Sequence, residues 1–316
     1  MSINTMEMKN MSENNNEKTS SVLMQEWLKE NRSAKRWKNI RFACWFALFA
    51  YALFALFNLT GEPTVAISTN SKHVALIRLN GMIAPDRDFS AEQILPILKE
   101  AFSDKNAKGV IIDINSPGGT PVQASIIHDA IVLYKKQYHK KIIIVGEDML
   151  TSGAYFVAVA ADKIFVNPST ITGSIGVIMK GFGFVDAMKK IGVERRVYTV
   201  GIAKDRLDPF LPQNPDDLKK VETVMTEVHQ NFMNAVQEGR KGKLKADNAT
   251  LFSGDFWSGQ SALNLGLVDG LGNLMDVMKS EFGTTEFKEY GGTPNFFRLL
   301  SGQLNTALDT MFYTVR

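Results

Sequence analysis

The order of apolar and polar positions divides the chain into stretches of different character. Residues 1–21 are rich in Asn, Ser, Glu, Met and Lys and poor in aliphatic side chains, so they cannot offset the entropy of ordering, and residues 1–41 are expected to be a largely disordered tail. From Phe42 to Leu59 the run FACWFALFAYALFALFNL holds 18 residues without a charge. As a helix it would extend about 27 Å against about 30 Å of bilayer hydrocarbon, which predicts a transmembrane helix over residues 42–60. After the linker Gly61–Ser71, short β-branched runs alternate with helical spacing. His73–Leu79, Gly109–Ile114, Lys141–Val145, Lys163–Val166 and Arg195–Val200 read as strands. Ser90–Phe102, opened by Ser90 and Gln93 at capping-box spacing, Val122–Tyr138 and Tyr155–Ala161 read as helices. Pro215–Gln237 has Leu218, Val221, Val224, Met225, Val228, Phe232 and Val236 on one stripe and reads as an amphipathic helix. This alternation predicts an α/β domain over residues 61–285, its mostly parallel sheet covered by helices. Residues 286–316 are expected as a helical extension, because Phe296, Phe297, Leu300, Leu304, Leu308 and Phe312 recur at helical spacing.

Charge orients this picture. Residues 1–41 hold eight basic residues against five acidic, and the rest of the chain balances, so the formal +3 resides in the tail. A neutral body argues against a nucleic-acid surface. Arg32, Lys35, Arg36, Lys38 and Arg41 precede the apolar run with no acid among them, so the positive-inside rule keeps the N-terminus in the cytoplasm. The expected arrangement is a single-pass protein with everything after Gly61 exported. A cleaved signal peptide fits less well, since the 41-residue leader is long and no small-x-small cleavage site follows the apolar run. Cys44 is the only cysteine, which rules out an internal disulfide and a cysteine-based metal site; no metal and no cofactor are expected.

Two loops place turn residues directly after a hydrophobic strand. In Asn115-Ser116-Pro117-Gly118-Gly119 the paired glycines let backbone N–H groups approach a ligand, although the same residues also make an ordinary turn. In Glu147–Tyr155 a serine, Ser152, stands where strand gives way to helix, next to Gly153 and Ala154. Such a serine is either an N-cap or an exposed nucleophile. A hydroxyl needs a base, and the four histidines, His73, His128, His139 and His229, support a Ser-His-Asp triad poorly. A desolvated lysine can substitute, at a cost of about 4 kcal/mol for lowering its pKa from about 10.4 to near 7.

INSPGGTPVQAS (114–125), EDMLTSGAYFVAVAADKIFVNPSTITGSIGVIM (147–179) and FSGDFWSGQSALNLGLVDGLG (252–272) resemble the signal peptide peptidases of the SppA type. These are serine/lysine peptidases of the S49 family, with a ClpP/crotonase-like fold of repeated ββα units. The resemblance covers residues 72–282 and implies Ser152 as nucleophile and Lys204, 52 residues later in VGIAKDRLDPF, as its base. It implies Ser174 as the residue orienting that lysine, and Gly118 or Gly119 together with Gly153 as the oxyanion hole. Asp205 and Asp208 would raise the Lys204 pKa if they lay against it, so their side chains are expected to face away. Lys163 and Lys180 read as surface residues. The implied substrates are cleaved signal peptides or other extended apolar peptides, and the implied assembly is a homo-oligomeric ring in which the lysine can come from a neighbouring subunit. Alternatives are a related membrane-bound protease with other substrates, a crotonase-like acyl-CoA enzyme, and a non-catalytic scaffold.

Overall fold

The computed structural model describes residues 40–52 and 71–291, which fall in two units, Met1–Ile67 and Ser68–Arg316. In the first, residues 40–52 form a helix (α1) exposed along its whole length, with Phe42, Trp45, Phe46 and Phe49 in solvent contact. Among the described residues no helix is long and apolar enough to cross a membrane. Residues 53–60 of the expected span, most of the expected tail and the expected helix at Thr293–Arg316 lie outside the described residues.

In the second unit β1 (His73–Asn80), α2 (Ala91–Ser103), β2 (Ala107–Ser116), α3 (Pro121–Tyr138), β3 (Ile142–Thr151), α4 (Gly153–Ala158) and β4 (Lys163–Val166) follow one another as strand and crossover helix. β5 (Ile171–Gly173), α5 (Val185–Ile191), α6 (Pro215–Gly239), α7 (Asn248–Leu251), β6 (Phe256–Ser258), α8 (Gly259–Leu265), β7 (Gly270–Leu271), α9 (Leu274–Phe282) and β8 (Phe287–Tyr290) complete it. The sheet runs β6-β5-β3-β2-β1-β8, with β4 pairing both β3 and β7. All pairings but β5 with β6 are parallel, as crossover helices require.

Parallel strands covered on both faces need apolar side chains at successive positions. One face, with Ala75, Ile77, Val110, Ile112, Ile142 and Ile144, packs into the main core together with Ile94 and Leu98 of α2, Ile127 and Ile131 of α3 and the buried α4. Its reverse, with Val74, Leu76, Ile111, Ile143 and Val145, packs on Val277 and Met278 of α9. β8 pairs with β1 and so carries the sheet past the boundary expected at residue 285.

Two local expectations are corrected. Arg195–Val200 forms no strand: its alternation of apolar and polar residues has no ladder partner, and Tyr198 and Val200 stand in solvent. Ser90 makes no side-chain cap; the first N–H of α2, on Ala91, is donated instead to Oε1 of Gln123 at 2.8 Å. The amphipathic helix expected over Pro215–Gln237 is present as α6; Phe232 and Val236 of its apolar stripe are buried, and the N-terminal half of that stripe lines an open groove of about 430 Å³ with Val177 and His229.

Candidate active site

The site lies where β2, β3 and β5 end. β2 and β3 keep parallel register from Val110↔Ile142 to Ile114↔Gly146, after which Ser116 pairs with Leu150. The surplus residues of β3, Glu147–Met149, bulge opposite Asn115. Asn115 fastens this bulge with its side chain, accepting the Met149 N–H and donating to the Asp148 carboxylate, each at 3.2 Å. Beyond the bulge β3 runs straight into Ser152.

Ser152 has φ 52° and ψ −124°, a backbone conformation costly for any residue with a Cβ. Its N–H is donated to Gly173 O at 2.8 Å, and its carbonyl accepts from Phe156 N–H at 3.0 Å as α4 begins. The side chain makes no cap hydrogen bond, so the N-cap alternative is set aside: Ser152 holds the cap position while its hydroxyl makes no hydrogen bond among the described residues. Such a strand–turn–helix is the kind of sharp corner that pushes a serine Oγ out of the chain.

The glycine loop packs against this corner. A Cβ built on Gly118 would come within 2.7 Å of both Ser152 Cβ and Gly153 N, so only glycine permits the contact. A Cβ built on Gly153 would lie 3.2 Å from Gly119 N, which puts the Gly119 and Gly153 amides side by side. The three glycines named from sequence are not equivalent. Gly118 is buried and its N–H is donated to Ser116 Oγ at 3.1 Å, whereas the N–H groups of Gly119 and Gly153 make no hydrogen bond among the described residues. The loop is held from outside by a short parallel bridge to Ile83, whose N–H is donated to Gly118 O (2.9 Å) and whose carbonyl accepts from Thr120 N–H (2.8 Å). Asn115 and Ser116 were named from sequence only as members of the glycine loop, without a role, and Ile83 was not named, since nothing in a chain pattern brings residue 83 to residue 119.

Ser174 directly follows β5, whose register with β3 ends at Thr151↔Gly173, so Ser174 and Ser152 leave adjacent strands at the same level. Ser174 is also at positive φ, 51°, with its N–H donated to Asp255 O at 2.7 Å. Lys204 is not brought to this cluster by a hydrogen bond. It lies on an exposed turn closed by its own N–H to Gly201 O (3.1 Å), and among the described residues its ammonium makes no hydrogen bond or ion pair. Its acidic neighbours do not pair with it. Asp208 accepts from Phe210 N–H and pairs with Arg195 at 3.0 Å, and these two partners hold its carboxyl below the usual range.

Most of the competing bases have other partners. Lys163 is bound to Glu281 at 2.8 Å, and Lys180 is exposed. His229 bonds Ile175 O, His128 pairs with Asp129 and His73 with Asp104, and no histidine bonds Ser152. Among the described residues no cluster of His, Cys, Asp or Glu could hold a metal ion. One acid stands out on β2: Asp113 is buried, pairs with Arg78 at 2.9 Å and keeps Oδ1 without a donor. Burial, followed by the nearby Glu147 carboxylate, pushes it up to about 7.

The profile of peptidase family S49 matches residues 134–283. A Brucella melitensis protein named as the Na(+)/H(+) antiporter NhaA is 43% identical over 215 residues, covering 66% of this chain but 29% of that protein. An Enterococcus faecium protein bearing the name signal peptide peptidase SppA is 31% identical over 227 residues, covering 69% of this chain and 65% of that one. A Synechocystis protein named as a protease is 31% identical over 213 residues, covering 66% and 73% respectively. The chain therefore spans less than a third of the first of these relatives and about two thirds of the second.

Proposed function

Since the chain belongs to peptidase family S49, we propose that it is a membrane-anchored serine endopeptidase in which Ser152 is the nucleophile and Lys204 the general base. Lys204 takes the Ser152 proton, the hydroxyl oxygen attacks a peptide carbonyl, and the Gly119 and Gly153 N–H groups receive the tetrahedral oxyanion. The leaving amine takes the proton back from Lys204, and water then frees the acyl group by the same steps. Ser174 orients the lysine.

The observation that carries this reading is the corner at Ser152: a serine at φ 52° with an unengaged hydroxyl, beside two amides without acceptors. A lysine base must be dry to be neutral at pH 7. Lys204 is exposed in the single chain, and it shares its segment with solvent-facing Tyr198, Val200 and Ile202. We therefore assign the burial of Lys204 to a neighbouring copy in a homo-oligomeric ring. The fold is of the ClpP/crotonase-like kind, and substrates are extended apolar peptides such as cleaved signal peptides. The apolar run at 42–60 anchors the chain in a bacterial inner membrane, with the peptidase domain in the periplasm.

The test uses the full chain in detergent with a fluorogenic apolar peptide and a serine-directed fluorophosphonate. Wild-type protein should cleave the peptide and label at Ser152, and Ser152→Ala should do neither. Full cleavage by Lys204→Ala would reject the base assignment, and labelling that persists in Ser152→Ala would reject the nucleophile.

A further inference from the structure

We infer that Ser116 and the backbone of Ile83 are positioning groups that hold the Gly118–Gly119 peptide with its N–H toward the reacting carbonyl; this rests on the serine-peptidase reading above. A trans peptide is planar, so its C=O and N–H point in opposite directions. Among the described residues there is no cis peptide bond. The Gly118 carbonyl is fixed on Ile83 N–H at 2.9 Å, and Thr120 N–H returns to Ile83 O at 2.8 Å. The N–H of the same peptide, that of Gly119, must then point away from Ile83. That is the side of Gly153, whose Cβ position lies 3.2 Å from Gly119 N.

Restraint is needed because the loop itself supplies little. Gly118 at φ 94° and Gly119 at φ 156° lack side chains, so the peptide between them can rotate without the steric penalty other residues would meet. Rotation would exchange a donor for an acceptor, turning the Gly118 carbonyl toward the developing negative charge. Ser116 opposes this from the other side. Its fully buried Oγ accepts the Gly118 N–H at 3.1 Å, fixing the preceding peptide. The hydroxyl thus keeps the buried Gly118 amide occupied and leaves the exposed Gly119 amide as the donor. Glycine is demanded at 119 for the same reason: a Cβ there would sit 1.9 Å from Ile83 O and break the bridge.

The experiment compares wild type with Ser116→Ala and Ser116→Cys, full-length, reading kcat, KM, thermal midpoint and inhibition by a peptide boronic acid, whose tetrahedral adduct mimics the oxyanion. Loss of an oxyanion donor lowers kcat by about 100- to 1000-fold, so an indirect loss should lower it by roughly 10- to 100-fold. Ser116→Ala should show that fall, an equal weakening of boronate inhibition and an unchanged KM. Ser116→Cys, with similar volume and a weaker acceptor, should fall between. Wild-type kcat and boronate affinity in Ser116→Ala would overturn the inference. So would a rise in KM and a fall in thermal midpoint in both variants that account for the loss of activity, since those indicate a structural role alone. Wild-type protein that neither cleaves nor labels would instead overturn the serine-peptidase reading on which the inference rests.

Discussion

Ser152 and Lys204 stand on ground prepared in opposite ways. The strands leading to the serine carry Val110, Ile111, Ile112, Ile142, Ile143 and Ile144, all sealed from solvent, while the segment bearing the lysine leaves Tyr198, Val200 and Ile202 at 92, 100 and 103% exposure. A hydroxyl needs only direction, and a packed sheet edge supplies that within one chain. An amine proposed to shed its proton needs dryness, and among the described residues Lys204 is exposed. On the proposed mechanism, the nucleophile would thus be complete in a single copy, and the base would await a covering surface.

The sharpest break of this contrast is complementation. Ser152→Ala and Lys204→Ala should each lose hydrolysis by several orders of magnitude, as removal of either member of a nucleophile–base pair does. Co-assembled, they should recover a fraction of wild-type activity if the base crosses between copies. Recovery absent from a verified mixed assembly would place both groups in one chain. Next in size, Ile202→Asp should prevent assembly and lower activity at least tenfold while leaving the domain folded, read by sedimentation alongside circular dichroism. Ile112→Ala should do the reverse, lowering unfolding free energy by about 2–5 kcal/mol, as buried truncations do, with less effect on assembly.

The packed half was also the more legible. β1 to β4 are built on continuous apolar runs because both sheet faces are covered, and such runs are visible in one sequence. β5 to β8 are two to four residues long and are paired by tertiary context, so no periodicity announces them. Arg195–Val200 has the alternation of a strand but no neighbour to bond, and pattern alone cannot supply one. Of the site, the Ser152 corner and the glycine pair were readable because turn residues follow strands directly. The share of work among the glycines was not, because the Ser116 bond and the Ile83 bridge depend on where the chain returns in space.

A smaller effect sharpens the electrostatics of the packed half. Asp113, raised from 3.8 to about 7 by burial and then by Glu147, keeps in the fold a proton that the unfolded chain releases. The native state binds more protons between these values, so this group's contribution to stability falls as pH rises from about 4 to 7 and is flat above. Asp113→Asn should flatten that slope and gain stability at pH 8 relative to wild type, read from urea midpoints at pH 5 and pH 8.

The positive φ of Ser152 has a last consequence. Non-glycine residues in sparsely populated backbone regions cost about 1–3 kcal/mol, while glycine gives back about 0.5–1 through its freer unfolded chain. Ser152→Gly should therefore yield an inert protein that melts slightly higher than the active one. The proposed chemistry would be sited where the main chain on its own favours no side chain, and inactivity here would be the relaxed condition of the fold.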